Sequence, residues 1–157
     1  MARVLERKVS GTETHWEAYP TMKTEHRRSA HSVFLLHVHL VFVTQYRRKV
    51  FTQAILDEMR LVFERVCLEQ DVQLTEFDGE ADPVHLLLNY PPKLSITLLI
   101  KQLKGASSRH IRQQRYASIR QKLWSNHLWS PSYFAGSCGG APLEVIRQYI
   151  EQQDTPH

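Results

Sequence analysis

The chain has 157 residues, of which 42% are hydrophobic and 23% charged, with a formal net charge of +4. These are the proportions of a soluble globular protein, and the length suits one domain with a real core plus a tail. No apolar run is long enough to cross a bilayer, and the polar N-terminus has no signal core. The two cysteines, Cys67 and Cys138, form neither a disulfide framework nor a zinc pattern. The expectation is a cytoplasmic protein with no membrane partner, with both cysteines as core residues. A charge of +4 leans towards polyanions, but only clustering beside reactive groups would give it meaning.

Residues 1–32 are polar and without a sustained period, and read as a flexible extension; Met22 is an alternative start. The domain is expected over 33–157. VFLLHVHLVFVTQY, rich in β-branched and aromatic residues, predicts a first strand with Val38, Leu40 and Phe42 on one face. His37, His39, Val41 and Val43 then share the other face. The basic run YRRK follows. FTQAILDEMRLVFERVCLEQ predicts a helix capped by Thr52, with Ile55, Met59, Val62 and Val66 as its apolar stripe. VQLTEF is a second strand, Gly79 marks a turn, and VHLLLNY is a third strand ended by Pro91 and Pro92.

Ser95 can cap a second helix, whose inner face carries Leu99, Leu103 and Ala106. A polar connection holding Trp124 and Trp129 leads to SYFAGSC, a fourth strand. Gly139 and Gly140 make a turn, and Pro142 suits the first position of a last helix, PLEVIRQYIEQQ. The order β-α-β-β-α-β-α predicts an α+β fold, a ferredoxin-like or RRM-like sandwich with a four-stranded antiparallel sheet. In that arrangement the first and third strands are central neighbours. Val84, Leu86, Leu88 and Tyr90 would pack under the helices, while Pro83, His85, Leu87 and Asn89 face the other way. His85 would then stand on the less covered face, within reach of a ligand.

Several side chains have a bland and a sharp reading. Tyr149 and Gln153 lie one turn apart on the last helix, which suits a packing residue and a solvated end. Lys101, Lys104, Arg109 and Arg112 suit a solvated helix face, but beside Ser107 and Ser108 they also suit phosphate contacts. Trp124, Trp129 and Tyr133 could stack on bases, although packing is their commoner use.

YRRK, GEADPVHLLLNYPPK, LIKQLKGASSR, LWSPSYF, GGAPL and VIRQYIEQQ occur in an order and spacing that resemble the single-tyrosine transposases of the HUH superfamily, including their REP-associated relatives. The resemblance covers roughly residues 33 to 153. It implies a homodimer with composite active sites that acts on single-stranded DNA and recognises a subterminal hairpin, in a bacterial or archaeal cell. It implies Tyr149 as the nucleophile, leaving a 5′-phosphotyrosine and a free 3′-hydroxyl. It implies Mg²⁺ or Mn²⁺ held by a His-hydrophobic-His triplet and by a glutamine one turn after the tyrosine, here Gln153. Arg47, Arg48, Lys101, Lys104, Ser107, Ser108, Arg109 and Arg112 are the expected DNA contacts.

The triplet here reads Pro83-Val84-His85. His85 matches the second histidine, but Pro83 has no side-chain donor. The expectation is weakened or absent metal binding and impaired cleavage. His37-Val38-His39 is also a His-hydrophobic-His triplet, but on the wrong strand. It could share the open face with His85. Asp82 and Glu80 are alternative oxygen donors, with Asp82 expected on the opposite face. The competing reading is a DNA-hairpin-binding protein, derived from such a transposase, that does not cleave.

Overall fold

The computed structural model describes residues 26–123 and 127–138. The expected last helix, with Tyr149 and Gln153, lies outside the described residues, as do Trp124 and the turn expected at Gly139 and Gly140. Strand β1 (Arg27–Arg28) pairs with β2 (Val33–Phe34) in a small antiparallel hairpin. Then come β3 (His37–Thr44), α1 (Gln53–Glu69), β4 (Gln73–Gly79) and β5 (Val84–Asn89). Helix α2 (Ile96–Gln113), the short α3 (Ala117–Lys122) and β6 (Trp129–Cys138) complete the described chain. The main sheet has the order β4-β5-β3-β6, with every neighbouring pair antiparallel. This is the expected α+β sandwich, with the first and third strands of the core at its centre.

Alternation along the strands builds the core. Val38, Leu40 and Phe42 on β3, and Val84, Leu86 and Leu88 on β5, are buried beneath the helices. Ile55, Met59 and Phe63 from α1 and Leu99 and Leu103 from α2 close over them. Phe42 packs edge-on to Phe63 and Trp129, with ring centroids 6.2 and 5.7 Å apart. Each helix starts where a hydroxyl is available. Thr52 accepts from the Ile55 N–H and Ser95 from the Leu98 N–H, both at 3.3 Å. Gly79 is the closing residue of β4 rather than part of the turn. A Cβ there would lie 2.6 Å from Leu56 Cδ2, so the missing side chain is what lets α1 approach the sheet.

Three boundaries differ from the sequence expectation. The first strand is interrupted at Leu35 and Leu36, so Val33 and Phe34 pair with β1 and not with the main sheet. Regular structure therefore begins at Arg27, ahead of the expected boundary. Arg27 fastens the hairpin: its guanidinium donates to the Asp71 carbonyl and carboxylate at 2.9 and 2.8 Å and to Asn89 at 3.3 Å. Strand β6 starts at Trp129 and runs through Pro131. A missing N–H is tolerated there because β6 is an edge strand and its pairing to β3 shifts register at that point.

Candidate active site

The open face of the sheet carries the polar side chains. Pairing register puts His85 opposite Val41 on β3 and opposite Asp78 on β4. One row along, His39 stands between Leu87 and Gly136; in the next, His37 stands between Asn89 and Cys138. His39 is only 1% exposed, although it lies on the face away from the helices. Its Nε2 is 3.0 Å from His85 Nδ1, a hydrogen bond in which either nitrogen can hold the proton. The two ring planes differ by 15° and their centroids are 5.2 Å apart. That separation is nearly the N···N distance plus the two ring radii, so the imidazoles meet edge to edge and do not lie one over the other. Phe134 stands edge-on to His39, with centroids 5.7 Å apart. A Cβ at Gly136 would lie 2.8 Å from the Phe134 ring, so glycine opposite His39 makes room for that contact.

His37 is held less tightly. The Asn89 amide donates to its Nε2 at 3.4 Å, and its Nδ1 is buried with no partner among the described residues. Burial pushes its pKa below the ordinary imidazole range. Cys138 ends this face half-buried and so is not the core residue expected of it. Cys67 is a core residue, and burial, with Glu64 nearby, pushes its thiol up to about 12.

The carboxylates beside Pro83 do different work. Asp82 is buried and accepts from the Thr44 backbone N–H at 2.9 Å and from Arg47 Nε at 2.8 Å. Tyr46 and Arg47 both have positive φ, at 58° and 54°, a conformation that costs an L-residue about 1–2 kcal/mol. Asp82 ties down that strained turn after β3, which accounts for its burial. Pro83 adds no donor, its peptide bond with Asp82 is cis, and Glu80 is exposed. Among the described residues no three His, Cys, Asp or Glu side chains are grouped to hold a metal ion. The donor set therefore fits the implied cation incompletely: His85 is present, and the position of the other histidine holds proline.

The basic candidates divide into two groups. Arg48, Lys101 and Arg109 are exposed, and Ser108 and Arg112 are half-buried. The Arg47 side chain is 62% exposed, but its Nε is engaged by Asp82. Lys104 donates to the carbonyls of Ser130 and Ser132 at 2.8 and 2.9 Å and lies 5.4 Å from the centroids of both Phe42 and Tyr133. Desolvation lowers its pKa, and its two hydrogen bonds fasten α2 to β6. Ser107 is fully buried: it donates to the Leu103 carbonyl at 2.7 Å and accepts from Trp129 Nε1 at 2.9 Å. Its hydroxyl is used inside the protein, and Trp129 is a packing residue. Tyr133 remains 45% exposed. The spacing of Ser107 and Trp129 gave no sign of their contact, which depends on how α2 lies against β6.

A four-stranded antiparallel sheet of this order, packed under helices on one face and carrying histidines on the other, is a scaffold that many functions share, and the comparisons assign the family. The family described as "Transposase IS200 like" matches residues 32–153. The chain belongs to this family of transposases. It is 29% identical over 135 residues to the ISDra2 transposase TnpA of Deinococcus radiodurans, covering 86% of this chain and 96% of that protein. It is 28% identical over 124 residues to the transposase of insertion sequence IS200 of Salmonella typhimurium, covering 79% of this chain and 80% of that one. A crystal structure of a D. radiodurans protein assigned as a transposase aligns with a TM-score of 0.66 at 29% identity, covering 83% of this chain and 99% of that one. A REP-associated tyrosine transposase bound to a REP hairpin shares the fold, with a TM-score of 0.51 at 8% identity, covering 79% of this chain and 69% of that one. Among the described residues no helix is long and apolar enough to cross a membrane.

Proposed function

We propose that this protein recognises a DNA hairpin near the end of an insertion sequence and cuts and rejoins single-stranded DNA through Tyr149, with cleavage impaired at Pro83. Family membership over residues 32–153, a span that includes Tyr149 and Gln153, carries the reading. The hairpin in the complex of the REP-associated relative supports the choice of substrate. Exposed Arg48, Lys101 and Arg109 supply charge for phosphate contacts. A homodimer with composite sites remains part of the reading.

In the proposed step the Tyr149 oxygen bonds to the scissile phosphorus as its hydroxyl proton leaves. The bond from phosphorus to the 3′ oxygen breaks, and that oxygen takes up a proton. The phosphodiester is kept as a 5′-phosphotyrosine, so a 3′-hydroxyl can reverse the step without ATP. His85 and Gln153 would hold Mg²⁺ or Mn²⁺, which when bound supplies Lewis acidity at the phosphate. Pro83 gives that cation one imidazole fewer, and a loss on the order of 10–100-fold in affinity or activity is the least expected.

The test is incubation of the full chain with a hairpin-bearing single-stranded oligonucleotide and Mn²⁺. A weak covalent adduct, mapped to Tyr149 by mass spectrometry and lost in Tyr149→Phe, is the expected result. An adduct at another residue contradicts the reading. Pro83 also favours a second reading, hairpin binding without cleavage. On that reading the wild type forms no adduct, and hairpin affinity survives both EDTA and Tyr149→Phe.

A further inference from the structure

The turn after β3 holds an aromatic ring out in solvent. Tyr46, Arg47, Arg48 and Lys49 are all exposed, Tyr46 to 73%. Tyr46 and Arg47 keep a left-handed backbone, with φ of 58° and 54°, that glycine adopts at less cost. Hydrogen bonds from several sides impose it. The buried Asp82 carboxylate accepts from the Thr44 N–H and from Arg47 Nε. The Thr44 hydroxyl donates to the Arg48 carbonyl at 2.7 Å, and the Gln45 N–H donates to the Leu128 carbonyl at 3.0 Å. Strain that the surroundings over-determine in this way clusters where ligands are held. An open aromatic ring followed by three cations is also the make-up of a surface for single-stranded nucleic acid. Bases stack on the ring, and the cations meet the phosphates. A duplex hides its base faces between neighbouring pairs, so an unpaired base is the partner the ring can take. The anchor of the turn, Asp82, immediately precedes Pro83.

We propose that Tyr46 is a base-stacking residue: its ring packs on an unpaired base of single-stranded DNA whose neighbouring phosphates meet Arg48 and Lys49. Asp82 keeps the ring in place by holding the turn through Thr44 and Arg47. The proposal rests on the DNA function proposed above and deepens it, because it brings the unpaired strand to the end of the sheet where the chain passes through Pro83. It also explains why two residues with side chains occupy positions that glycine would fill with less strain. A turn that only connected β3 to α1 would need no ring there.

The test compares the full-length wild type with Tyr46→Gly and Tyr46→Phe. Each is titrated, by fluorescence anisotropy, into a labelled mixed-sequence DNA single strand of about 12 nucleotides and into the same sequence fully paired. Stacking accepts any base, so the natural target sequence is not required. Glycine removes the ring and relieves the backbone. Tyr46→Gly should therefore unfold at a urea midpoint no lower than the wild type, while its single-strand affinity falls by about 10-fold or more. Tyr46→Phe keeps the ring and should keep the affinity. Duplex affinity should be the same in all three chains. Unchanged single-strand affinity in Tyr46→Gly overturns the proposal. So does an equal loss on both DNAs, which places the contact elsewhere than on an unpaired base, and so does a loss as large in Tyr46→Phe. A loss accompanied by a lower urea midpoint makes the ring structural and overturns it too. If the wild type binds neither DNA, the proposed DNA function fails as well; if it binds both and Tyr46→Gly matches it, the proposal fails alone.

Discussion

The two faces of the central strands are built from alternate residues of the same segments, yet they are stabilised differently. On the helix side Leu40, Phe42, Val84, Leu86 and Leu88 are fully buried, and non-directional apolar burial holds them. On the other side His37, His39, His85 and Asn89 are held by directional contacts to one another. A hydrogen bond depends on angle as well as distance, so these contacts specify geometry where the apolar face specifies shape and volume. The difference shows where chemistry can reside without threatening the fold. Pro83, which offers no side-chain donor, sits just before β5 and leaves the apolar face intact.

Breaking the covered face should have the largest effect. Phe63→Ala removes a fully buried ring from under the sheet, and a loss of about 3–5 kcal/mol in urea unfolding is expected. Hairpin affinity per folded molecule should be unchanged. Ser107→Ala should be smaller, about 1–2 kcal/mol, because Trp129 Nε1 loses its acceptor in a buried site. If Ser107→Ala instead weakens hairpin binding without loss of stability, the hydroxyl contacts DNA after all.

The smallest effect belongs to the open face. Burial holds the pKa of His37 below its ordinary value, so the unfolded chain takes up a proton as pH falls through about 6.5 while the folded chain does not. Stability should therefore fall on acidification from about 6.5 down to the depressed pKa, and level off below it. Urea midpoints on either side of that window should move closer together in His37→Gln. An unchanged difference would assign the pH dependence to other groups.

Much of the covered face was legible in the sequence. Alternation over residues 37–44 and 84–89, the helix period over 53–69, and the hydroxyl caps Thr52 and Ser95 are local signals, and each is present in the fold. The interruption at Leu35 and Leu36 was hidden because the run is apolar throughout. The passage of β6 through Pro131 was hidden because proline normally ends a strand. On the open face the alternation placed His37, His39 and His85 together, but which imidazoles touch depends on the register of strands 46 residues apart. Asp82 was expected to face away from the metal position; its burial against the strained turn at Tyr46 and Arg47 supplies the reason.

The central claim is that Pro83 limits the chemistry of an otherwise intact fold. Covalent adduct formation by wild type and Pro83→His, side by side on one hairpin oligonucleotide with Mn²⁺, tests it most directly. The account predicts at least about 10-fold more adduct from Pro83→His, at unchanged hairpin affinity. Equal adduct yields from the two chains would contradict it.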